Sequence, residues 1–367
     1  MSKKTKKVYV IAEIGVNHNG QLSVAKKLIK SAKKCGADAV KFQTFRAESL
    51  VVPTAKKTTY QLKFDSNDSQ LDMLKKYELS KSDHKVLLNY ANNLKIDFIS
   101  TPFDFESYKF LVSDLKLKTI KVSSTDITNI PYLLDLGSTN SKIIISTGMS
   151  TLRDVIIALS ALAFGNKYKG KKLKYDFNSI KDKYFYKKNY KYLKSHIKLL
   201  HCTSQYPAPL NELNLNVLET YSKLFNIPIG YSDHSKNLTT PVIAVSKGAT
   251  LIEVHITLDN NMKGPDHEAS LEPEEFKKYI DNINNTIIML GDNIKKITKS
   301  ESKNIKSSRK SLVISSDLKK DDILTIDNLT IKRPGNGIQP INFYKYIGKK
   351  AKRALRINHV LKNSDLK

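Results

Sequence analysis

Val8–Gly15 reads VYVIAEIG, Leu22–Cys35 reads LSVAKKLIKSAKKC and Ala37–Phe45 reads ADAVKFQTF. The first and third stretches are short, rich in Val, Ile and Ala, and run out into polar residues, as the buried strands of a parallel sheet do. The middle one places its apolar residues at three- and four-residue steps, the spacing of one face of a helix. Strand, helix and strand form one unit, and the unit recurs. Further strands are expected at Asp97–Thr101, Thr119–Ser124, Lys142–Gly148, His196–Thr203, Pro228–Asp233 and Leu251–Thr257, making eight, with helices such as Ser82–Leu94 between them and Glu272–Leu290 after the last. Eight βα units in about 250 residues match the size of a (β/α)8 barrel. The same alternation permits an open doubly wound sheet. Against that, no Gly-x-Gly-x-x-Gly follows the first strand, and chemically useful residues stand at nearly every strand end rather than at one switch point.

Outside this repeat the texture changes. Residues 294–308, rich in Lys, Ser and Thr, read as a linker after a barrel spanning 1–293, and residues 309–367 read as a small mixed domain. In that domain short β runs are expected at Ser311–Ser315, Ile323–Ile326 and Leu329–Lys332. About 59 residues lie near the lower limit for folding alone, so the module is expected to lean on another surface. Within the barrel, residues 166–198 carry twelve lysines against two aspartates, with six tyrosines interleaved. Basic residues among aromatics can bind single-stranded nucleic acid; the plainer reading is a solvated helical insertion before the sixth strand.

The formal charge of +27 invites a nucleic-acid function, but only six of the 62 basic residues are Arg, the side chain that grips phosphates and bases bidentately. The lysines are dispersed, and nucleic acid is not the expected partner. No window approaches the roughly 20 apolar residues of a membrane span. The start MSKKTKK lacks a signal-peptide pattern, and Cys35 and Cys202 make no disulfide framework, which together fit the cytoplasm.

In a parallel barrel every strand delivers its last side chains to one mouth. Here that brings Glu13, with Asn17 and His18 beyond it, Lys41 and Gln43, Thr101 and Phe103, Lys121, Ser123, Ser124 and Asp126, Ser146 and Thr147, His201, Thr203 and Tyr206, Ser232, Asp233 and His234, and Glu253 and His255. Residues two apart on a strand share a face, so Lys41 with Gln43, and Glu253 with His255, are expected to point inward. A charge there is costly unless it meets a counter-charge or a ligand. Lys41 and Lys121 with nearby serines therefore form either an anion cradle or internal salt bridges with Glu13 or Glu253. His234 and His255, on neighbouring strands, can approach one divalent ion or serve as hydrogen-bonded core residues.

At these residues a family becomes recognisable. AEIGVNHNG at 12–20, VKFQT at 40–44, STPF at 100–103, ISTGM at 145–149, LHCT at 200–203 with YPAP at 206–209, GYSDH at 230–234, GPDH at 264–267 and KRPGNG at 332–337 resemble the sialic acid (N-acetylneuraminate) synthase family, in that family's order. The resemblance covers nearly the whole chain and implies a TIM barrel followed by an antifreeze-like (SAF, β-clip) domain. It further implies condensation of phosphoenolpyruvate with N-acetylmannosamine or a related N-acetylated amino sugar; the alternative substrates are diacetamido-trideoxy hexoses leading to legionaminic or pseudaminic acid. By the same resemblance His234 and His255 would bind Mn2+, with Mg2+ or Co2+ as substitutes, and Lys41, Lys121, Ser124, Ser146 and Ser232 would hold phosphoenolpyruvate. Gln43, Thr101, Phe103, Tyr206 and Asp266 would contact the sugar, Glu13 and Asp126 would take catalytic parts, and Arg333 would reach a partner's sugar site in a domain-swapped homodimer. Three departures stand out: the family's common Pro-Ser-Gly-Glu is Ser123-Ser124-Thr125-Asp126 here, one methylene shorter at the carboxylate; Val254 replaces a common lysine; and the basic Tyr-rich insertion, which precedes the strand carrying the Tyr206 loop, differs from the shortest family members and bears on substrate choice. A Schiff-base aldolase using Lys41 or Lys121 and a non-enzymatic basic binding protein are the readings of other classes.

Overall fold

The computed structural model describes residues 7–62, 69–170, 180 and 185–367. Eight strands, β1 (Tyr9–Gly15), β2 (Ala39–Thr44), β3 (Asp97–Pro102), β4 (Thr119–Val122), β5 (Lys142–Ser146), β6 (Ile197–Cys202), β7 (Ile229–Asp233) and β8 (Leu251–His255), close into a barrel in sequence order. All eight pairings are parallel, and β8 returns to β1 with His255 beside Glu13. The expected strands are all present: β3 runs one residue further, to Pro102, and the other seven are one to three residues shorter.

Alternation sorts each strand into two cores. One set of side chains, including Val10, Val40, Phe42, Ile120, Ile145, Ile252 and Val254, packs outward on the helices. The other fills the barrel with Ile11, Ala39, Ile99, Ile144, Leu200 and Leu251. The outward set explains why Val254 can stand in for a lysine without touching the mouth. Helix α1 (Leu22–Cys35) buries Ala25, Leu28, Ile29, Ala32 and Cys35 and ends at Gly36, whose left-handed φ of 101° suits a residue without a Cβ. Helices α2 (Lys81–Asn93) and α3 (Leu152–Lys167) open with capping boxes, Ser80 with Asp83 and Thr151 with Asp154, so both helix starts are readable in the sequence.

Asp233, at the end of β7, faces outward. It accepts hydrogen bonds from Tyr279 Oη at 2.8 Å, from Ser235 and from Thr240. Its place is to tie β7 to the helices Thr240–Ser246 and Pro273–Leu290 (α4). His201 is outward as well, with Nε2 2.7 Å from the Leu213 carbonyl. The basic insertion lies partly outside the described residues. Its described aromatic residues pack on the protein: Phe185 sits on Phe164, and Tyr186 on Phe225. No described helix is long and apolar enough to cross a membrane.

The chain divides into two compact units, Met1–Gly291 and Asp292–Lys367. The stretch read as a linker contains two short helical turns, Lys299–Ser302 and Ile305–Ser308. In the second unit β9 (Ser311–Ile314) pairs antiparallel with β10 (Leu329–Lys332) over a core of Leu312, Ile314, Leu318, Leu324, Leu329, Ile338, Ala351, Leu355 and Leu361. The strand expected at Ile323–Ile326 does not form; Ile323 makes one isolated bridge to Lys350, and Leu324 serves as a core plug between turns. Asp365, almost fully buried, accepts from Arg353 Nη2 at 2.7 Å, His359 Nε2 at 2.9 Å and the Lys362 amide at 2.9 Å.

Candidate active site

Above the apolar plug the inward positions turn polar. Glu13, Lys41, Lys121 and Glu253 are all buried there. Lys41 Nζ lies 2.7 Å from Glu13 Oε2 and 3.9 Å from Glu253 Oε1, and donates to Thr101 Oγ1 at 3.0 Å. Lys121 Nζ donates to Glu253 Oε1 at 3.2 Å, and Ser232 Oγ donates to the same oxygen at 2.9 Å. Both lysines are thus paired, as the salt-bridge reading required, yet all four groups face a cavity of about 400 Å3.

The pairing is uneven. Burial works against the charge of Lys41, but Glu13 and Glu253 outweigh it and hold its pKa up. Burial pushes Lys121 down against the pull of Glu253. Glu13 is pushed up by burial despite Lys41, whereas Lys121 and Lys41 overcome the burial of Glu253 and hold it down. Glu13 is therefore the carboxyl whose charged and neutral forms lie close in free energy, which suits proton exchange near neutral pH. A Lys41 kept charged by two carboxylates is ill suited to Schiff-base chemistry, which needs a neutral amine.

The cavity wall on the β6–β8 side is aromatic. His234 and His255 have ring centroids 5.5 Å apart at 66°, with Tyr206 4.3 Å from the first and 5.7 Å from the second. His234 Nδ1 lies 2.7 Å from the Thr203 carbonyl, which can only accept; Nδ1 therefore carries the proton and Nε2 keeps its lone pair. His255 Nδ1 is buried and finds no hydrogen-bond partner among the described residues. Burial lowers the pKa of both rings and keeps them neutral, the form that binds metal. Among the described residues His234 Nε2 has only Ser232 Oγ as a hydrogen-bond partner, at 3.3 Å, and two neutral imidazoles at this separation fit a divalent ion. Among the described residues there is no group of three or more His, Cys, Asp or Glu that could hold one, so the protein would supply two ligands and leave positions open.

Thirteen of the fifteen residues to which the resemblance gives a role line this cavity: Glu13, Lys41, Gln43, Thr101, Phe103, Lys121, Ser124, Ser146, Tyr206, Ser232, His234, His255 and Asp266. Ser146 Oγ, buried, has no hydrogen-bond partner among the described residues and is available to a ligand. Burial pushes Asp266 up to about 6. Gly15 lies beside these side chains with a left-handed φ of 53°; a Cβ there would lie 3.2 Å from Glu13 Oε1, 3.4 Å from Gln43 Nε2 and 3.5 Å from Asp266 Oδ2. Asp126 is not among the lining residues. It ends a 3-10 turn and accepts from Asn129 Nδ2 at 3.2 Å. Arg333 belongs to the second unit. Asn17 and His18 also stay out of the cavity: the Asn17 amide donates to the Ile256 carbonyl and Ser270 Oγ, fastening the loop after β1 to the one after β8. Sequence reasoning treated Glu253 only as a counter-charge and missed Leu50, Val51, Thr58, Gln61, Gln70 and Leu74, which come from the β2–β3 connection. Its irregular pattern gave no signal.

The NeuB family profile matches residues 28–295, and the SAF domain profile matches residues 309–367. The chain belongs to the NeuB family. Among its relatives, the N,N'-diacetyllegionaminic acid synthase of Campylobacter jejuni is 44% identical over 97% of this chain and 99% of its own. The N,N'-diacetyllegionaminic acid synthase of Legionella pneumophila is 40% identical over 93% of this chain and 89% of its own. A crystal structure of the N-acetylneuraminic acid synthetase of Leptospira borgpetersenii, in complex with citrate, superposes with a TM-score of 0.66 at 30% identity, covering 82% of this chain and 91% of that one. This NeuB protein is an enzyme of the nonulosonic acid synthase kind.

Proposed function

We propose that this NeuB enzyme condenses phosphoenolpyruvate with a diacetamido-trideoxy hexose, giving a legionaminic acid-type nonulosonate and phosphate. The reaction class is supported by a buried Lys–Ser cluster and two neutral imidazoles that line one cavity. The choice of hexose over N-acetylmannosamine is supported by the two diacetyllegionaminic acid synthases at 44% and 40% identity.

In this reading Lys41, Lys121, Ser124, Ser146 and Ser232 hold the phosphate and carboxylate of phosphoenolpyruvate. Gln43, Thr101, Phe103, Tyr206 and Asp266 position the open-chain sugar. His234 and His255 hold a divalent ion, Mn2+ by family resemblance, which when bound polarises the aldehyde as a Lewis acid. C3 of phosphoenolpyruvate attacks the aldehyde carbon, the new C–C bond leaves positive charge at C2, and Glu13 offsets that charge. Water adds at C2, the proton it loses balancing the one taken up by the former aldehyde oxygen; the bond from C2 to the phosphate-bearing oxygen then breaks, and the C2 hydroxyl gives its proton to the leaving phosphate as the keto group forms. Asp126, one methylene shorter than its family counterpart and outside the cavity lining, acts through the turn it caps. A homodimer in which the partner's Arg333 completes the sugar site, working in the cytoplasm, goes with this reading.

The test is phosphate release from phosphoenolpyruvate by enzyme stripped with a chelator, with and without Mn2+, in the presence of the diacetamido hexose. Metal-dependent release is expected. Borohydride-trappable adducts with pyruvate and metal-independent turnover would overturn the reading in favour of an aldolase.

A further inference from the structure

We infer that Cys202, which is not among the residues lining the cavity, is a positioning residue for phosphoenolpyruvate: its thiol, set against Ser124 Oγ, turns the Ser124 hydroxyl hydrogen toward the ligand. This rests on the synthase reading above, in which Ser124 is one of the anion's partners.

Cys202 closes β6. Leu200, two residues earlier, belongs to the plug inside the barrel, so Cys202 points inward as well, while His201 between them faces out. Its Cα partner on β7 is Ser232. The thiol is buried, and Sγ lies 3.2 Å from Ser124 Oγ. Gly148, just past β5, donates its amide N–H to the same oxygen at 3.0 Å. A side chain on Gly148 would obstruct this meeting, because a Cβ there would lie 3.0 Å from Ser124 Oγ, 3.1 Å from Cys202 Sγ and 2.1 Å from Ser204 Oγ.

A serine hydroxyl has one hydrogen to give and two lone pairs to fill. The Gly148 N–H, which can only donate, occupies one lone pair of Ser124. Before an anion enters, the Ser124 hydrogen can rest on Cys202 Sγ, but sulfur is a weak acceptor, and a hydrogen bond to an ionised oxygen is about twice as strong as a neutral one. A phosphate or carboxylate oxygen in the cavity therefore takes that hydrogen. As the hydroxyl rotates, its second lone pair swings to Cys202 and accepts the S–H. Donor and acceptor exchange roles, and neither buried group loses its partner. Alanine at 202 would leave the lone pair without its donor; serine can play both parts. A cysteine that only filled space would give the opposite order, with alanine tolerated better than serine.

The experiment measures kcat and the KM for phosphoenolpyruvate, by phosphate release with Mn2+ and the diacetamido hexose, for the wild type, Cys202→Ala, Cys202→Ser, Ser124→Ala and the double variant. Cys202→Ala is expected to raise the KM for phosphoenolpyruvate several-fold, up to about tenfold, the scale of one hydrogen bond, with the KM for the sugar little changed. Cys202→Ser recovers most of that loss. In the Ser124→Ala background, which itself raises the KM for phosphoenolpyruvate, removing the thiol adds less than about twofold, because the group through which it acts is gone. A second readout is the infrared S–H stretching band, recorded on Cys35→Ala protein so that Cys202 is the remaining thiol. The band is expected to move to lower frequency when phosphoenolpyruvate is added and to stay in place in the Ser124→Ala protein; this arm needs no substitution at 202 and decides the matter even if Cys202→Ala does not fold. An unmoved band, an equal loss from Cys202→Ala in both backgrounds, or a serine variant weaker than the alanine one overturns the inference and leaves the synthase reading intact. No phosphate release by the wild type overturns both.

Discussion

Glu13 illustrates how a single residue can carry chemistry that its neighbours make available. Its carboxylate is 2.7 Å from a lysine, yet burial raises its pKa against the pull of Lys41, and the nearby charge of Glu253 adds to the rise. Glu13→Gln keeps the shape and the bond to Lys41 while removing the negative charge. The account expects kcat to fall by about 10²–10³-fold, the loss typical for one electrostatic stabiliser, with the KM for phosphoenolpyruvate changed only a few-fold. Steady-state kinetics check this, and an unchanged kcat would remove Glu13 from the reaction. The parity of the strands made this residue readable: Glu13, Lys41, Lys121 and Glu253 are charges inside apolar runs, and a charge in such a run asks for a partner. The same logic did not separate His234 from His201. Both stand at the end of an apolar strand, and only the phase of alternation, set by which neighbours enter the barrel, turns His201 toward the Leu213 carbonyl and away from the mouth.

At the scale of elements, the site is held by groups that never touch it. Asp233 receives Tyr279, Thr240 and Ser235, so β7, which carries Ser232 and leads directly into His234, is fixed to two helices. Asp233→Ala leaves the buried Tyr279 hydroxyl without this acceptor. It is expected to cost about 3 kcal/mol in urea unfolding, and Tyr279→Phe should cost less, because that change removes the donor itself. Equal stability of Asp233→Ala and wild type would show that the clamp is unimportant. Strand positions were legible because barrel strands buried on both sides give unbroken apolar runs; the helix expected from Ser82 begins at Lys81, and the capping boxes of Ser80 and Thr151 were signals that periodicity alone passed over. The β2–β3 connection was not legible. Its lining residues follow no period, and the loop is shaped by contacts such as the Thr58 amide on Gln61. Likewise Ile323–Ile326 has the composition of a strand, but a single bridge to Lys350 is all it forms.

The whole molecule is two units of different chemistry. The larger buries its charges at the mouth of a barrel; the smaller buries one carboxylate, Asp365, among turns. Burial pushes the pKa of Asp365 up, but hydrogen bonds from His359 and Arg353 outweigh it and hold it below the usual carboxylate value. A depressed carboxyl stabilises the folded form above its unfolded pKa and loses that contribution as the pH falls through the folded one. Asp365→Asn should therefore lower the calorimetric transition of the second unit at pH 7, with the difference from wild type shrinking as the pH drops below about 4. A difference independent of pH would contradict this. The net charge of +27 has no role in this account beyond the surface: it is carried mainly by dispersed lysines, while the four floor charges form two acid–base pairs.

The central claim is that His234 and His255 share an ion in front of a pocket for phosphoenolpyruvate. Crystals grown with Mn2+ and phosphoenolpyruvate, recorded for anomalous signal at the manganese edge, test it directly. The account predicts one peak between the two rings and phosphate density beside Lys121 and Ser146. An empty space between the imidazoles, with the ligand ordered elsewhere, would contradict it.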